Sequence, residues 1–139
     1  MALFLTLLET LSSDCAPFFL SQQTHFSISA QEGQRMSTVY QFLLNHYAED
    51  IALDQLAGLV HLSFPAFCRY FKKHTRKTFT VFLNEIRINA ACRTLKEDLE
   101  KSISDIAYST GFNNIPHFNR TFKRVMGQRP NDWRKGKQG

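Results

Sequence analysis

The side chains with the clearest chemical potential in this sequence are two arginines that share the same neighbours. Arg69 lies in FCRYFK, residues 67 to 72, and Arg120 lies in FNRTFK, residues 118 to 123. On a helix Phe67 and Phe71 share a face, while Arg69 stands about 200° around the axis from Phe67; Phe118, Phe122 and Arg120 repeat the arrangement. The spacing predicts two helices, each pinned to a core by a pair of rings and each carrying a guanidinium outward. Such a group on the second helix of a helix-turn-helix can reach the guanine edge in the major groove, or a phosphate. Lys72, Lys73, Lys123 and Arg124 lie further along and suit phosphates, which orient a protein on a duplex without reading its sequence. Asn113, Asn114, His117 and Asn119 head the second helix as polar readers, and any one of them can equally serve only as its cap. Phe64, Pro65 and Ile115 open the two helices and complete the candidate contact set. Cys68, expected on the exposed side, either touches a thymine methyl or is a bystander.

Other chemistries have less support. The three cysteines, Cys15, Cys68 and Cys92, are odd in number, widely spaced and without a CxxC or CxxH pattern, which argues against a disulfide framework and against zinc. A reducing cytoplasm is the expected location. A cysteine methyl acceptor in DNA repair is the enzyme reading worth weighing, but no His or carboxylate is predicted beside Cys15 or Cys68. No enzyme activity and no cofactor are expected. The opening MALFLTLLETL has no basic residue before its apolar run and is interrupted by Glu9. It reads as neither signal peptide nor membrane span, so no membrane association is expected.

Charge points in the same direction as the arginines. The chain carries 17 Lys and Arg against 12 Asp and Glu, a net charge of +5. Residues 1 to 35 hold one of those basic groups and three acidic ones, leaving 16 against 9 in residues 36 to 139. A basic domain beside a non-basic segment fits a polyanionic partner.

The elements that position these side chains come from a duplication. Ahead of the hexamers, Leu53, Leu56, Ala57 and Leu62 answer to Ile103, Ile106, Ala107 and Phe112 at an offset of 50; after them, Phe79 to Phe82 answers to Pro130 to Trp133 at 51. Two copies are too few for a solenoid and indicate a duplicated module. Tyr40, Leu43, Leu44 and Tyr47 predict a helix over 37 to 48, capped by Ser37 or Thr38. Short helices follow over 53 to 60 and 102 to 110, the latter opened by Ser102 and Asp105 as a capping box. Turns at 61 to 63 and 111 to 113 lead into helices over 64 or 65 to 74 and 114 or 115 to 126. A long helix over 78 to 97 joins the units, and a last one starts at Pro130 and ends near Lys135. Small Ala57 and Ala107 allow close helix crossing. Gly111 and His61 stand where each turn requires φ > 0.

At these residues the sequence resembles the AraC/XylS family of bacterial transcription regulators. The family signature runs Gly-Phe, five residues, F-x-R-x-F-K, three residues, G-x-(Ser/Thr)-Pro, two residues, Tyr-Arg; residues 111 to 134 read GFNNIPHFNRTFKRVMGQRPNDWR. The resemblance extends over about residues 37 to 135. It implies an all-α fold of seven helices, a homeodomain-like double helix-turn-helix, with subdomains at 37–77 and 99–139 joined by a long central helix at 78–98. It further implies a monomer that sets both recognition helices into successive major-groove turns on one face of double-stranded DNA. Arg129 stands where the family has a capping Ser or Thr, so either the cap is lost or Arg129 is held by a phosphate. Trp133 replaces Tyr, Ala52 lacks the cap that Ser102 supplies in the other copy, and Pro116 falls in a first turn where its missing donor costs little.

Residues 1–36 are short beside the sensor domains of the family. Leu3, Phe4, Leu7, Leu8 and Leu11 form an apolar stripe similar to the closing helix of such a domain, expected to pack on the DNA-binding part or to pair two chains as a homodimer. The leading expectation is a sequence-specific regulator, an activator that also touches RNA polymerase. The alternative is a low-specificity nucleic-acid-binding accessory factor using the same surface.

Overall fold

The structure, a computed structural model, describes residues 30 to 138, and side chains from 31 to 136. Among the described residues there are seven helices and no strand: α1 (Ala30–His46), α2 (Leu53–Leu59), α3 (Phe64–Thr75), α4 (Phe79–Glu97), α5 (Ile103–Ser109), α6 (Ile115–Met126) and α7 (Pro130–Gln138). Residues 1 to 29, with the apolar stripe and Cys15, lie outside them.

Two cores follow from the apolar periodicity of the copies. Met36, Val39, Tyr40 and Leu43 of α1 meet Leu56 and Ala57 of α2, Phe67 and Phe71 of α3, and Phe82, Leu83 and Ile86 of α4. In the second core Ile88, Ala91, Cys92 and Leu95 of α4 meet Ile106 and Ala107 of α5, Phe118 and Phe122 of α6, and Trp133 of α7, with Phe112 from the turn. The division falls inside α4, between Ile86 and Ile88, so one helix about 28 Å long serves both cores.

The helix ends are set by local chemistry. Side chains of Ser63, Thr78, Ser102 and Asn114 accept hydrogen bonds from the amides of Ala66, Val81, Asp105 and His117, satisfying donors that each first turn leaves free. Ala52 opens α2 without a side-chain bond, as its type requires. Both α3 and α6 end on a left-handed residue, Arg76 at φ 61° and Gly127 at φ 79°, whose amides return to Lys72 and Lys123.

The first helix differs from the sequence expectation. Ser37 and Thr38 are not its cap: α1 starts at Ala30, and the Thr38 hydroxyl donates to the Gln34 carbonyl inside it at 3.0 Å. AQEGQR carries no apolar stripe, so local periodicity does not signal the extra turns. Tertiary contacts hold them: Met36 is buried, and the Tyr70 hydroxyl donates to the Glu32 carbonyl at 2.6 Å. At the other end α7 runs past Lys135 to Gln138.

Candidate nucleic-acid interface

The two recognition helices, α3 and α6, are built alike. Each has 12 residues, a side-chain cap and a proline in its first turn, where no donor is wasted. Each follows a turn that closes the same way: Leu62 N–H to Ala57 carbonyl at 2.9 Å, and Phe112 N–H to Ala107 carbonyl at 3.0 Å. The residues that bend those turns are His61 at φ 58° and Gly111 at φ 102°.

Rings hold both helices from behind. Phe67, Phe71, Phe118 and Phe122 are at most 1% exposed, and within each pair the centroids are 5.8 Å apart. Phe71 meets Phe82 edge-on at 5.1 Å, and Phe122 meets Trp133, its counterpart at the same offset, at 6.3 Å. With that face fixed, helical geometry turns Arg69 and Arg120 outward, and both are exposed. Lys72, Lys73, Lys123 and Arg124 are exposed too.

The remaining candidates divide. Pro65, Asn113, Asn114, His117 and Asn119 are exposed, and Phe64 presents a ring that is 45% exposed. Asn114 does the capping: its Oδ1 accepts from His117 N–H at 2.9 Å. The His117 ring lies edge-on to Phe112 at 5.5 Å. Ile115 is half-buried against the second core. Cys68 is also half-buried rather than exposed, because one position past Phe67 it sits on the flank of the packed face.

An open cleft of about 730 Å³ between α5, α6 and α7 gathers Arg120, Lys123, Arg129 and Lys135, with Asp132 on its wall. Arg129, read from the sequence as either a lost cap or a phosphate contact, thus lies among the basic groups of α6, and Lys135 is an addition to the candidate set. The signal was present, since Lys135 follows buried Trp133 by two residues, as Arg120 follows buried Phe118.

Behind α3, Tyr70 and His74 attach the recognition helix to the start of α1. Burial, reinforced by the Glu32 charge, pushes the Tyr70 hydroxyl up to about 12, so it stays a donor to the Glu32 carbonyl. The His74 side chain is 4% exposed, lies 4.0 Å from Glu32 Oε1, and has no hydrogen-bond partner at either ring nitrogen. Burial lowers its pKa, with Glu32 opposing and Lys73 adding to the shift.

Among the described residues no group of three or more His, Cys, Asp or Glu is placed to hold a metal ion. No helix among them is long and apolar enough to cross a membrane.

Known proteins match this arrangement. The model of a helix-turn-helix domain family matches residues 56–136. The HTH-type transcriptional activator RhaS of Enterobacter sp. (strain 638) is 32% identical over 103 residues, 74% of this chain and 37% of that protein. RhaS of Escherichia coli (strain K12 / DH10B) is 32% identical over 105 residues, 76% of this chain and 37% of the relative. The chain thus spans little more than a third of the length of these curated relatives. Among solved structures, a Listeria innocua protein of unknown function superposes with TM-score 0.65 at 28% identity, over 72% of this chain and 94% of that one. A Chromobacterium violaceum transcriptional regulator of the AraC type shares the fold at TM-score 0.71 and 24% identity, over 78% and 96%.

Proposed function

The chain belongs to the AraC/XylS-type helix-turn-helix family, whose members are DNA-binding regulators rather than catalysts, and from that premise we propose that it regulates transcription by reading a specific duplex sequence with α3 and α6. The observation that carries this reading is the matched pair of exposed arginines, Arg69 and Arg120, each backed by a buried phenylalanine pair. In it, Arg69 and Arg120 meet base edges, helped by Phe64, Pro65 and Cys68 in one groove and by Asn113, Ile115, His117 and Asn119 in the next. Lys72, Lys73, Lys123 and Arg124 meet phosphates. Asn114 caps α6 and offers its remaining amide donors to the same groove.

The name of the RhaS relatives supports an activator role, which the proposal extends to this chain together with contact to RNA polymerase. The proposal also includes the division into subdomains at 37–77 and 99–139 around a linker at 78–98, action in the cytoplasm, and a homodimer through residues 1–36. Sedimentation with and without residues 1 to 30 tests the last.

Selection of duplexes from a random pool, followed by competition with scrambled DNA, tests the function. A specific reader prefers its selected site by about 10³ or more. Equal competition by scrambled DNA would instead mark a low-specificity nucleic-acid-binding factor using the same basic surface.

A further inference from the structure

Arg87 lies on α4 where the first core gives way to the second, between Ile86 of one and Ile88 of the other. Its Nε donates to the Tyr47 carbonyl at 2.7 Å and its Nη2 to the Glu49 carbonyl at 3.0 Å, both just past the end of α1. The same guanidinium lies 6.0 Å from the ring centre of Phe112, in the turn of the other unit. Gly111, next to that ring, is packed into the joint: a Cβ there would stand 2.7 Å from Arg87 Nε, 2.9 Å from the Tyr47 oxygen and 3.0 Å from Ala48 Cα. One side chain therefore touches the loop after α1, the midpoint of the shared helix and the turn that aims α6. Arg134 shows the contrast, because its 2.7 Å bond to the Lys101 carbonyl stays inside the second unit.

We propose that Arg87 is a positioning residue that fixes the angle and phase between α3 and α6, and so sets the spacing between the two half-sites the protein accepts. The inference rests on the duplex-reading function proposed above. A shared helix alone leaves bending and twisting between the units, and the three-way contact removes that freedom at its midpoint. Both bonds are charge-assisted, and the shorter one to Tyr47 is partly shielded from water while the one to Glu49 is exposed, which makes the Tyr47 bond the stiffer anchor. Burial lowers the Arg87 pKa and the Asp50 charge opposes the shift, but a guanidinium remains cationic at neutral pH. Gly111 supplies the absence of a side chain that lets the turn reach the joint.

Spacing is the property to measure. One inserted base pair moves a half-site by about 3.4 Å along the axis and about a tenth of a turn around it. The full chain is titrated against its selected duplex and against the same duplex with one or two base pairs added or removed between the halves, alongside Arg87→Met, Arg87→Lys and, as a control for charge on α4, Arg93→Met. Wild type and Arg93→Met are expected to lose about tenfold or more per inserted pair, the size of a lost specific contact. Arg87→Met is expected to lose less than about threefold, with Arg87→Lys between them because one donor can still reach the carbonyls. An Arg87→Met chain that binds every spacing more weakly but keeps the steep profile overturns the proposal. Should Arg87→Met fail to fold by circular dichroism, Arg87→Lys decides alone, a flattened profile supporting the proposal and a steep one overturning it. A wild-type chain that prefers no selected duplex fails at an earlier step and overturns the functional reading itself.

Discussion

His61 and Gly111, fifty residues apart, hold the same left-handed backbone position in two copies of one turn, at φ 58° and φ 102°. The residues differ because their surroundings do. Gly111 is pressed against Arg87, Tyr47 and Ala48, where a Cβ has no room, while His61 is exposed. Gly111→Ala is expected to cost about 2 kcal/mol or more, combining left-handed strain with a clash against backbone. His61→Gly is expected to change stability by less than about 1 kcal/mol, since relief of strain offsets the added freedom of the unfolded chain. Urea denaturation of the two variants checks the asymmetry, and equal losses would show that the close approach at Gly111 is without consequence.

Ala52 and Ser102 begin α2 and α5 with extended backbone at φ −80°, ψ 129° and φ −68°, ψ 155°, yet only Ser102 bonds a first-turn amide with its side chain. The geometry for a cap exists at Ala52 without the oxygen. Ala52→Ser should therefore stabilise the chain by about 1 kcal/mol, seen as a rise of a few degrees in Tm. No rise would mean that the Ala52 carbonyl, which accepts from the Gln55 amide at 3.1 Å, already serves that donor as well as a hydroxyl would.

The duplication made most of this architecture legible. Phe67 and Phe118 share their neighbours, so the buried face of each recognition helix, and with it the outward Arg69 and Arg120, followed from helical geometry. Caps at Ser102 and Asn114 and the turn at Gly111 were local signals. What stayed hidden depends on contacts distant in sequence. The first turns of α1 are held by Met36 in the core and by the Tyr70 hydroxyl on the Glu32 carbonyl, 38 residues apart. The role of Arg87 is likewise hidden, because nothing near it in sequence says that Tyr47 and Gly111 will meet there. Left-handed Arg76 had a readable counterpart in Gly127 at an offset of 51, but its own type gave no signal.

His74 should make stability depend on pH. Its pKa is lowered in the folded chain, so above the ordinary value of 6.5 both states are neutral and the fold keeps its full stability. Below 6.5 the unfolded chain takes up a proton that the folded one resists, and stability falls until the folded pKa is reached, at no more than about 1.4 kcal/mol per pH unit. Glu32 limits the loss and Lys73 adds to it. His74→Leu should remove this part of the pH dependence and leave stability at pH 7.5 unchanged or higher, because neither ring nitrogen has a hydrogen-bond partner to lose. Denaturation curves at pH 5.5 and 7.5 for both chains give the comparison. An undiminished slope in His74→Leu would assign the effect to other groups.

Arg120 and Lys123 lie three residues apart on α6, both exposed and both on the wall of the basic cleft, yet the proposed contacts give them different signatures. Arg120 comes earlier on the helix and has a fork able to pair with guanine, so Arg120→Ala should cost about 1 to 3 kcal/mol on the selected duplex and relax preference at one base position. Lys123, a compact charge one turn later, should hold a phosphate. Lys123→Ala should then weaken binding to all sequences alike and reduce the slope of log affinity against log salt by about 1. Titrations at several salt concentrations, on the selected duplex and on its single-base variants, separate the two. Arg129 and Lys135 share the cleft, so a uniform loss from Arg120→Ala with every base preference intact would move Arg120 into their company as a phosphate group. Base reading by α6 would then fall to Asn113, His117 and Asn119.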